Sequence, residues 1–259
     1  MIVLAAHGTR DPAGPRVIDD LAARVRARGA EVRVAYADVL APDVTAVLDT
    51  LAVPPVVVPA FLAAGYHVRT DIPRQIAASR HPGAVRAAAF GPAPELLDAV
   101  TDRVRRAGYR PGDAVVLAAA GSSDPRALGD VATAAWALGA RLHTPVRVGY
   151  AATAGPSVAE AVDAARRPGR RVVVASWLLA PGLFQRRLED SGADLVSQPL
   201  GSHPRWPISC CAGTPTRGSR APWATTTPRA SRRNPARRPP ARLRPRPARA
   251  PVSAPAPAA

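Results

Sequence analysis

The chain has 259 residues, which suits one large domain or two small ones, and it carries 35 basic residues, all of them Arg, against 19 Asp and Glu. The resulting charge of +16 is unevenly distributed: residues 1–200 contain every acidic residue and 23 of the arginines, whereas residues 201–259 contain 12 Arg and no acid. The basic end lacks interleaved aromatic residues and any motif of a folded nucleic-acid module. We therefore expect no nucleic-acid partner.

Cysteine content and hydropathy indicate in which cellular compartment the protein is expected. The only cysteines, Cys210 and Cys211, are adjacent, which predicts no disulfide framework and a reducing environment. No apolar run approaches the ~20 residues needed to cross a bilayer, and the opening "IVLAA" is typical of a strand rather than of a signal peptide. We expect a cytoplasmic protein without a membrane partner, either a monomer or a homo-oligomer.

Short apolar runs alternate with amphipathic stretches through residues 1–196. The predicted strands, in chain order, are Ile2–Ala6, Glu31–Tyr36, Pro55–Ala60, Ala84–Phe90, Ala114–Ala119, Val146–Tyr150, Arg171–Ser176 and Ala193–Val196. The predicted helices lie between them, at 15–28, 43–51, 70–79, 93–107, 125–138, 156–166 and 183–189. Continuous apolar runs such as "PPVVVPA" are typical of strands covered by helices on both faces. The alternation therefore predicts an α/β fold with parallel sheets.

The chain contains an internal repeat. "LAAHGTRDP" at 4–12 aligns with "LAAAGSSDP" at 117–125, and "VVVPAFLAAGYH" at 56–67 parallels "VVVASWLLAPGLF" at 172–184. We predict two similar lobes, each a four-stranded parallel sheet flanked by helices: lobe 1 at residues 1–110 and lobe 2 at residues 111–204. Residues 205–259 are rich in Arg, Pro and Ala and have no apolar periodicity, so we expect a disordered tail there.

Three side chains of lobe 1 follow predicted strands and are candidates for a metal site. His7 follows the first strand, Asp38 the second and His67 the third, so all three are expected at the carboxyl edge of one sheet. Imidazole suits Co, Ni, Fe and Zn, and a carboxylate adds an oxygen ligand or accepts a proton. Lobe 2 has Ala120 and Phe184 in place of the two histidines, which favours a functional role for them. The structural alternatives are loop histidines and a turn aspartate.

The surroundings of these residues predict an acidic, flat and apolar ligand. Arg10, Arg69 and Arg74 flank the histidines, and a guanidinium matches a carboxylate in geometry. An unusually apolar loop precedes His67 and includes Leu62, Ala63, Ala64, Gly65 and Tyr66. Neither Gly-x-Gly-x-x-Gly nor a Walker loop occurs, so no nucleotide cofactor is indicated.

Over residues 1–204 the chain resembles the sirohydrochlorin chelatases, the class II chelatases of cobalamin and sirohaem synthesis. The motifs that carry the resemblance are "AHGTRDP", "PAFLAAGYHVRTDIP" and their degenerate copies "AAGSSDP" and "LLAPGLF". The resemblance implies that His7 and His67 bind the metal, that His7 also accepts a proton, and that the loop Leu62–His67 contacts the macrocycle. Asp38 and Ala41 stand where related sequences often have Glu, and the tail departs from the family.

The implied activity is the ATP-independent insertion of Co²⁺ or Fe²⁺, with Ni²⁺ also compatible, into a sirohydrochlorin-type tetrapyrrole. His7 and Asp38 would be catalytic, and Arg10 would hold a substrate carboxylate together with the loop. Two other functions are open at this point. One is a carrier that binds metal or tetrapyrrole without insertion. The other, which we rank lower, is a phosphotransferase that uses the histidine of the His-Gly-x-Arg segment.

Overall fold

A computed structural model of the protein describes residues 1–203, so the predicted tail at 205–259 lies outside the described residues. We call the half of the chain that contains the first four strands lobe 1 and the half that contains the last four lobe 2. The strands are β1 (Ile2–Ala6), β2 (Val32–Tyr36), β3 (Val56–Pro59), β4 (Val85–Arg86), β5 (Ala114–Ala119), β6 (Val146–Tyr150), β7 (Val172–Trp177) and β8 (Leu195–Val196).

The helices connect consecutive strands, as expected of parallel sheets. They are α1 (Ala13–Arg26), α2 (Val44–Asp49), α3 (Ile72–Ala78), α4 (Pro94–Arg106), α5 (Pro125–Leu142), α6 (Val158–Ala165) and α7 (Leu183–Glu189). A π-helical turn, His67–Asp71, leads into α3. Asp43 caps α2 by accepting a hydrogen bond from the Ala46 amide at 2.7 Å. Within residues 1–203, no helix combines the length and the hydropathy needed to span a bilayer.

The two sheets have the same topology and confirm the predicted fold class. Their strand orders are β2-β1-β3-β4 and β6-β5-β7-β8, and every pairing is parallel. Leu4 at the centre of β1 aligns with Val34 and Val58 on either side. The fourth strand is shorter than the predicted Ala84–Phe90, because the chain leaves the ladder after Ala87 and turns into the core at Phe90.

The two lobes share a central core. The alternate residues Ile2, Leu4 and Ala6 of β1 pack in one apolar cluster with α1, α4 and α5 and with the facing residues of β5. Val3 and Ala5 point to the other side, where they pack against α2 and α3. Both faces of β1 are therefore covered, which explains why its sequence is a continuous apolar run.

The turn after the first strand of each lobe requires glycine. Gly8 has φ +90°, and a Cβ there would lie 2.4 Å from the Asp38 carbonyl oxygen. Gly121, its counterpart, has φ +98°, and its Cβ would lie 1.8 Å from the Ala152 carbonyl oxygen. Both distances are shorter than any real contact of a Cβ atom, so the repeat keeps this glycine for a steric reason.

Residues that the repeat preserves also join the lobes through two equivalent ion pairs. Asp11 of lobe 1 pairs with Arg186 of lobe 2 at 3.0 Å, and Asp124 of lobe 2 pairs with Arg69 of lobe 1 at 3.3 Å. The two aspartates occupy the same position of the repeated motif, as do the two arginines. The Ala13 amide and the Arg186 guanidinium hold the pKa of Asp11 below its usual range. The pairs are partly exposed, so they orient the lobes more than they stabilise them.

Lobe 2 also holds the loop that precedes His67. The Ala64 amide donates a hydrogen bond to Asp130 Oδ2 at 2.9 Å, and the Ala64 carbonyl accepts one from Arg69 Nε at 2.7 Å. Gly65 lies so close to Ser122 that an added Cβ would be 3.2 Å from its hydroxyl oxygen. A backbone segment of lobe 1 is thus fixed by side chains of lobe 2.

The described end of lobe 2 returns to lobe 1. Residues 197–203 follow β8 without forming a helix. The Leu200 carbonyl accepts a hydrogen bond from Arg103 of α4 at 3.1 Å, and His203 contacts Asp102 of the same helix at 2.9 Å. This segment adds a further connection between the halves of the chain.

The close approach at Gly121 generates a stability prediction. Gly121→Ala should lower the free energy of unfolding by ~3 kcal/mol, because the substitution combines strain at positive φ with a clash against the Ala152 carbonyl. Gly112→Ala is the matched control: its φ is +100°, but nothing lies within 4 Å of an added Cβ, so only the strain of ~1 kcal/mol is expected. Urea titration measures both values, and equal losses would contradict the steric explanation.

The contact between Asp130 and Ala64 generates a prediction about local dynamics. Asp130→Ala should make the Ala64 and Gly65 amides exchange with solvent ~10-fold faster or more, since a hydrogen bond to a charged group is removed. Asp163→Ala, at an exposed position in lobe 2 with only a 3.6 Å ion pair, should leave their exchange unchanged. Hydrogen–deuterium exchange of the peptide covering residues 60–67 measures the effect. An unchanged rate in Asp130→Ala would show that lobe 2 does not hold the loop.

Candidate metal centre

Parallel strand order brings three loops of lobe 1 to one edge. The connection that leaves β1 leads to β2 on one side of the sheet, whereas the connection that leaves its other neighbour, β3, leads to β4 on the opposite side, so the two diverge at the carboxyl ends of β1 and β3. Such a switch point is where open α/β sheets form a ligand-binding crevice. His7 directly follows β1, Asp38 lies two residues after β2, and His67 begins the π-helical turn after β3.

The structure brings the three predicted ligands together. One donor atom each from His7, Asp38 and His67 lies within 4.8 Å of the other two. The imidazole centroids are 4.4 Å apart, and their planes are nearly perpendicular at 88°. Within residues 1–203 no other group of three or more His, Cys, Asp or Glu side chains converges in this way. His7 and Asp38 are exposed, so small side-chain rotations can draw the donors toward one ion.

Hydrogen bonds determine which imidazole nitrogen is free in each ring. His7 Nδ1 lies 2.8 Å from the Gly8 carbonyl oxygen, and His67 Nδ1 lies 2.7 Å from Asp71 Oδ2. Both partners can only accept, so each Nδ1 carries the proton and each Nε2 has a free lone pair. Two nitrogen donors and one carboxylate oxygen form an incomplete coordination set, which leaves positions for another ligand.

Aromatic side chains line one side of this group. Phe61 lies with its ring centroid 6.3 Å from that of His7 and 6.2 Å from that of His67, and it is roughly parallel to His67. Tyr66 lies 6.0 Å from His67 and remains 55% exposed. The candidate metal ligands therefore border an apolar surface that opens to solvent.

The residues of the predicted substrate loop, Leu62–His67, contact three different parts of the protein. Leu62 and Ala63 pack against the central core, and Ala64 and Gly65 contact lobe 2 as described above. Tyr66 is the residue of this loop that projects into a cleft between the lobes, with a volume of about 540 Å³. The other residues that line the cleft are Arg69, Thr70, Ser123, Asp124, Pro125 and Arg126.

The predicted arginine rim is only partly available. Arg69 is engaged by Asp124 and the Ala64 carbonyl, and Arg74 donates to Asp71 at 3.1 Å, so neither guanidinium is a free anion-binding group. Arg10 is exposed and has no ion-pair partner within residues 1–203. Arg126, at the cleft, was not predicted, because the sequence does not show which surface of α5 faces lobe 1.

Lobe 2 lacks all three donors at the equivalent positions. Ala120 and Phe184 replace the histidines, as the repeat indicated. The structure adds that Ala152 replaces Asp38. The two turns match: the carbonyls of Asp38 and Ala152 each accept a hydrogen bond from the amide two residues later, at 2.8 and 2.7 Å. The same turn thus forms without a carboxylate side chain.

Sequence reasoning missed Asp71. Its side chain is almost fully buried and contacts His67 directly. The signal was present, because His67 and Asp71 are four residues apart in "HVRTD", a spacing that places two side chains on one face of a helix.

Comparisons with known proteins agree with this architecture. The CbiX family model matches residues 1–107 and 114–206. No curated protein sequence matches the chain. The structure of SirB from Bacillus subtilis with Fe³⁺ is 23% identical with a TM-score of 0.67, and the match covers 82% of this chain and 92% of that one. SirB from the subspecies spizizenii, in complex with cobalt, is 22% identical with a TM-score of 0.66, over 81% and 90%.

A third similar structure is CbiX, described as the terminal enzyme for biosynthesis of siroheme in denitrifying bacteria. It is 27% identical with a TM-score of 0.63, and the match covers 82% of this chain and 96% of that one. The SirB and CbiX structures share the two-lobed fold. Because the family model matches both halves of the repeat and most of the chain, the protein belongs to the CbiX family of sirohydrochlorin chelatases.

Proposed function

We propose that the protein inserts Co²⁺ or Fe²⁺ into sirohydrochlorin without ATP, in cobalamin or sirohaem synthesis. The observation that carries the proposal is the convergence of His7, Asp38 and His67 within 4.8 Å at the crevice of lobe 1, together with the absence of all three side chains from the matching positions of lobe 2. A scaffold that folds without these groups in one lobe retains them in the other for chemistry. A cytoplasmic location, expected from the sequence, is part of this proposal.

The reaction replaces two pyrrole N–H protons of the ring with one divalent metal ion, so it releases two protons. His7 and His67 hold the ion through Nε2, and Asp38 adds an oxygen ligand. As the ion moves to the ring nitrogens, the exposed His7 loses its metal bond, and its Nε2 lone pair accepts one proton. Asp38, also exposed, accepts the second and passes it to solvent.

The surface beside the ligands suits the proposed macrocycle. Tyr66 and Phe61 offer apolar ring faces next to His67, against which the macrocycle could pack. The loop Leu62–His67 carries Tyr66 and positions it beside the metal site. Arg10 is placed to bind an acidic side chain of the tetrapyrrole. Lobe 2 presents Leu183 and Phe184, which are 55% and 38% exposed, from the equivalent loop.

The proposed ligand set is compatible with more than one divalent metal. The similar SirB structures contain Fe³⁺ in one case and cobalt in the other, and a site with two imidazoles and a carboxylate accepts Co²⁺, Fe²⁺ and Ni²⁺. Insertion assays with each metal in turn, followed by the visible spectrum of sirohydrochlorin, identify the ions that the protein uses.

Removal of either histidine tests the proposed site. His7→Ala and His67→Ala should each lower the rate of Co²⁺ insertion by about 100-fold or more, because one of two imidazole ligands is lost. Circular dichroism should stay close to wild type. His143→Asn is the control, since His143 is an exposed residue of lobe 2 at φ +52°, which Asn tolerates. A normal rate in either alanine variant would refute the assignment.

Turnover separates the enzyme from a carrier. We expect many equivalents of metallated tetrapyrrole per equivalent of protein, because an open coordination set releases the ion to the ring. A reaction that stops at one equivalent would support the carrier instead. Hydrolysis or transfer of a phosphate ester without divalent metal would support the phosphotransferase.

The tail at residues 206–259 begins where the matched part of the sequence ends and should be dispensable for activity. The family match ends at residue 206, and all proposed ligands lie in lobe 1. A chain truncated after residue 205 should therefore insert Co²⁺ at the rate of the full chain. Loss of activity or of solubility on truncation would contradict this expectation.

A further inference from the structure

Asp71 is a buried carboxylate with two defined partners. It is 7% exposed, its Oδ2 accepts the Nδ1 proton of His67 at 2.7 Å, and its Oδ1 accepts a hydrogen bond from Arg74 at 3.1 Å. A buried carboxylate is unfavourable unless its oxygens are paired. Here both oxygens have a partner, so the side chain is held in one orientation, and it holds the imidazole in turn.

The two histidines of the site differ in their second partner. His67 Nδ1 bonds to the carboxylate of Asp71, whereas His7 Nδ1 bonds to the backbone carbonyl of Gly8. A carboxylate partner fixes the tautomer and ring orientation of a ligating histidine and makes its other nitrogen a stronger donor. His67 is also half-buried, while His7 is exposed. The two ligands are therefore unequal in strength and in freedom to move.

We propose that Asp71 is a positioning residue that holds the His67 imidazole in the orientation that binds the metal. His67 is then the ligand that stays coordinated, and His7 is the ligand that dissociates from the metal during transfer. This inference rests on the proposed function, since it concerns the same metal centre. It assigns to Asp71 a role that acts through His67 and requires no contact between Asp71 and the metal.

The repeat argues against a purely structural role for this carboxylate. In the gap-free register that pairs Arg69 with Arg186, Asp71 lies opposite Leu188, which is fully buried in α7. In lobe 1 the π-helical turn adds one residue and shifts this register, so Ile72, which is also fully buried, takes the core place of Leu188. Filling the core therefore does not require Asp71, whose carboxylate instead contacts His67. Such turns are frequent at functional sites.

The test uses two substitutions of Asp71 in the full chain. Asp71→Leu removes the acceptor, whereas Asp71→Asn keeps an oxygen that can accept the Nδ1 proton. Asp49→Asn is the matched control: Asp49, at the end of α2, accepts a hydrogen bond from the Arg80 amide and does not contact His67. Thermal unfolding followed by circular dichroism verifies that each variant is folded.

The first readout is the tautomer of His67 in the metal-free protein. Nitrogen-15 spectra of the imidazole, recorded above the usual titration range of histidine, should show the Nδ1–H form in wild type and in Asp49→Asn. In Asp71→Leu, Nε2–H should become populated, because nothing holds the proton on Nδ1. Asp71→Asn should retain Nδ1–H.

The second readout is the affinity for Co²⁺ alone, measured from its visible absorption. Asp71→Leu should bind about 10- to 100-fold more weakly than wild type, and Asp71→Asn should lie between the two. A folded Asp71→Leu variant overturns the proposal if it keeps both the tautomer and the affinity of wild type. If the leucine variant does not fold, an Asp71→Asn variant with the Co²⁺ affinity of wild type overturns it. If His67→Ala binds Co²⁺ as tightly as wild type, His67 is not a metal ligand and the proposed function loses its site. The tautomer of His67 in the metal-free protein is independent of that result, so it still tests whether Asp71 positions the imidazole.

Discussion

The candidate metal centre depends on the parallel pairing of β1 with both β2 and β3. Parallel strands end at the same edge of a sheet, so residues that follow three strands become neighbours although up to sixty positions separate them in sequence. The pairing is maintained by apolar residues on both faces of β1, with Leu4 in the central core and Val3 against α2 and α3. A change that shifts β1 against either neighbour would separate the ligands, even though it touched none of them.

The repeat divides its conserved residues between two tasks. Gly8 and Gly121 form the turn, and the two Asp–Arg pairs join the lobes, so these features persist in both copies. The candidate metal donors, in contrast, occur in lobe 1 alone: His7, Asp38 and His67 are replaced by Ala120, Ala152 and Phe184 in lobe 2. Lobe 2 lacks these donors, but its Asp130 accepts a hydrogen bond from the Ala64 amide in the loop before His67. The second copy of the motif is therefore explained by packing, and the first by packing and chemistry.

Much of this was predictable from the sequence, because hydrophobic periodicity and turn residues act locally. The bounds of β1, β5 and β6 match their predicted ranges, and the approach of His7 to His67 was expected because both follow strands of one parallel sheet. What could not be predicted depends on tertiary packing. No local pattern shows that Arg69 pairs with Asp124, or that Ala64 contacts Asp130. These contacts join residues that are more than fifty positions apart in different lobes, so they depend on how the lobes pack. The contact between Asp71 and His67, by contrast, could have been predicted from their spacing of four residues.

The central claim is that two imidazoles and one carboxylate of lobe 1 bind a single divalent ion. X-ray absorption spectroscopy of the full chain loaded with one equivalent of Co²⁺ tests it most directly, because scattering from imidazole rings is distinct from that of carboxylates and water. The account predicts two imidazoles with oxygen atoms completing the shell in the wild type, and one imidazole in His67→Ala. A cobalt shell without imidazole, or one unchanged by that substitution, would contradict it.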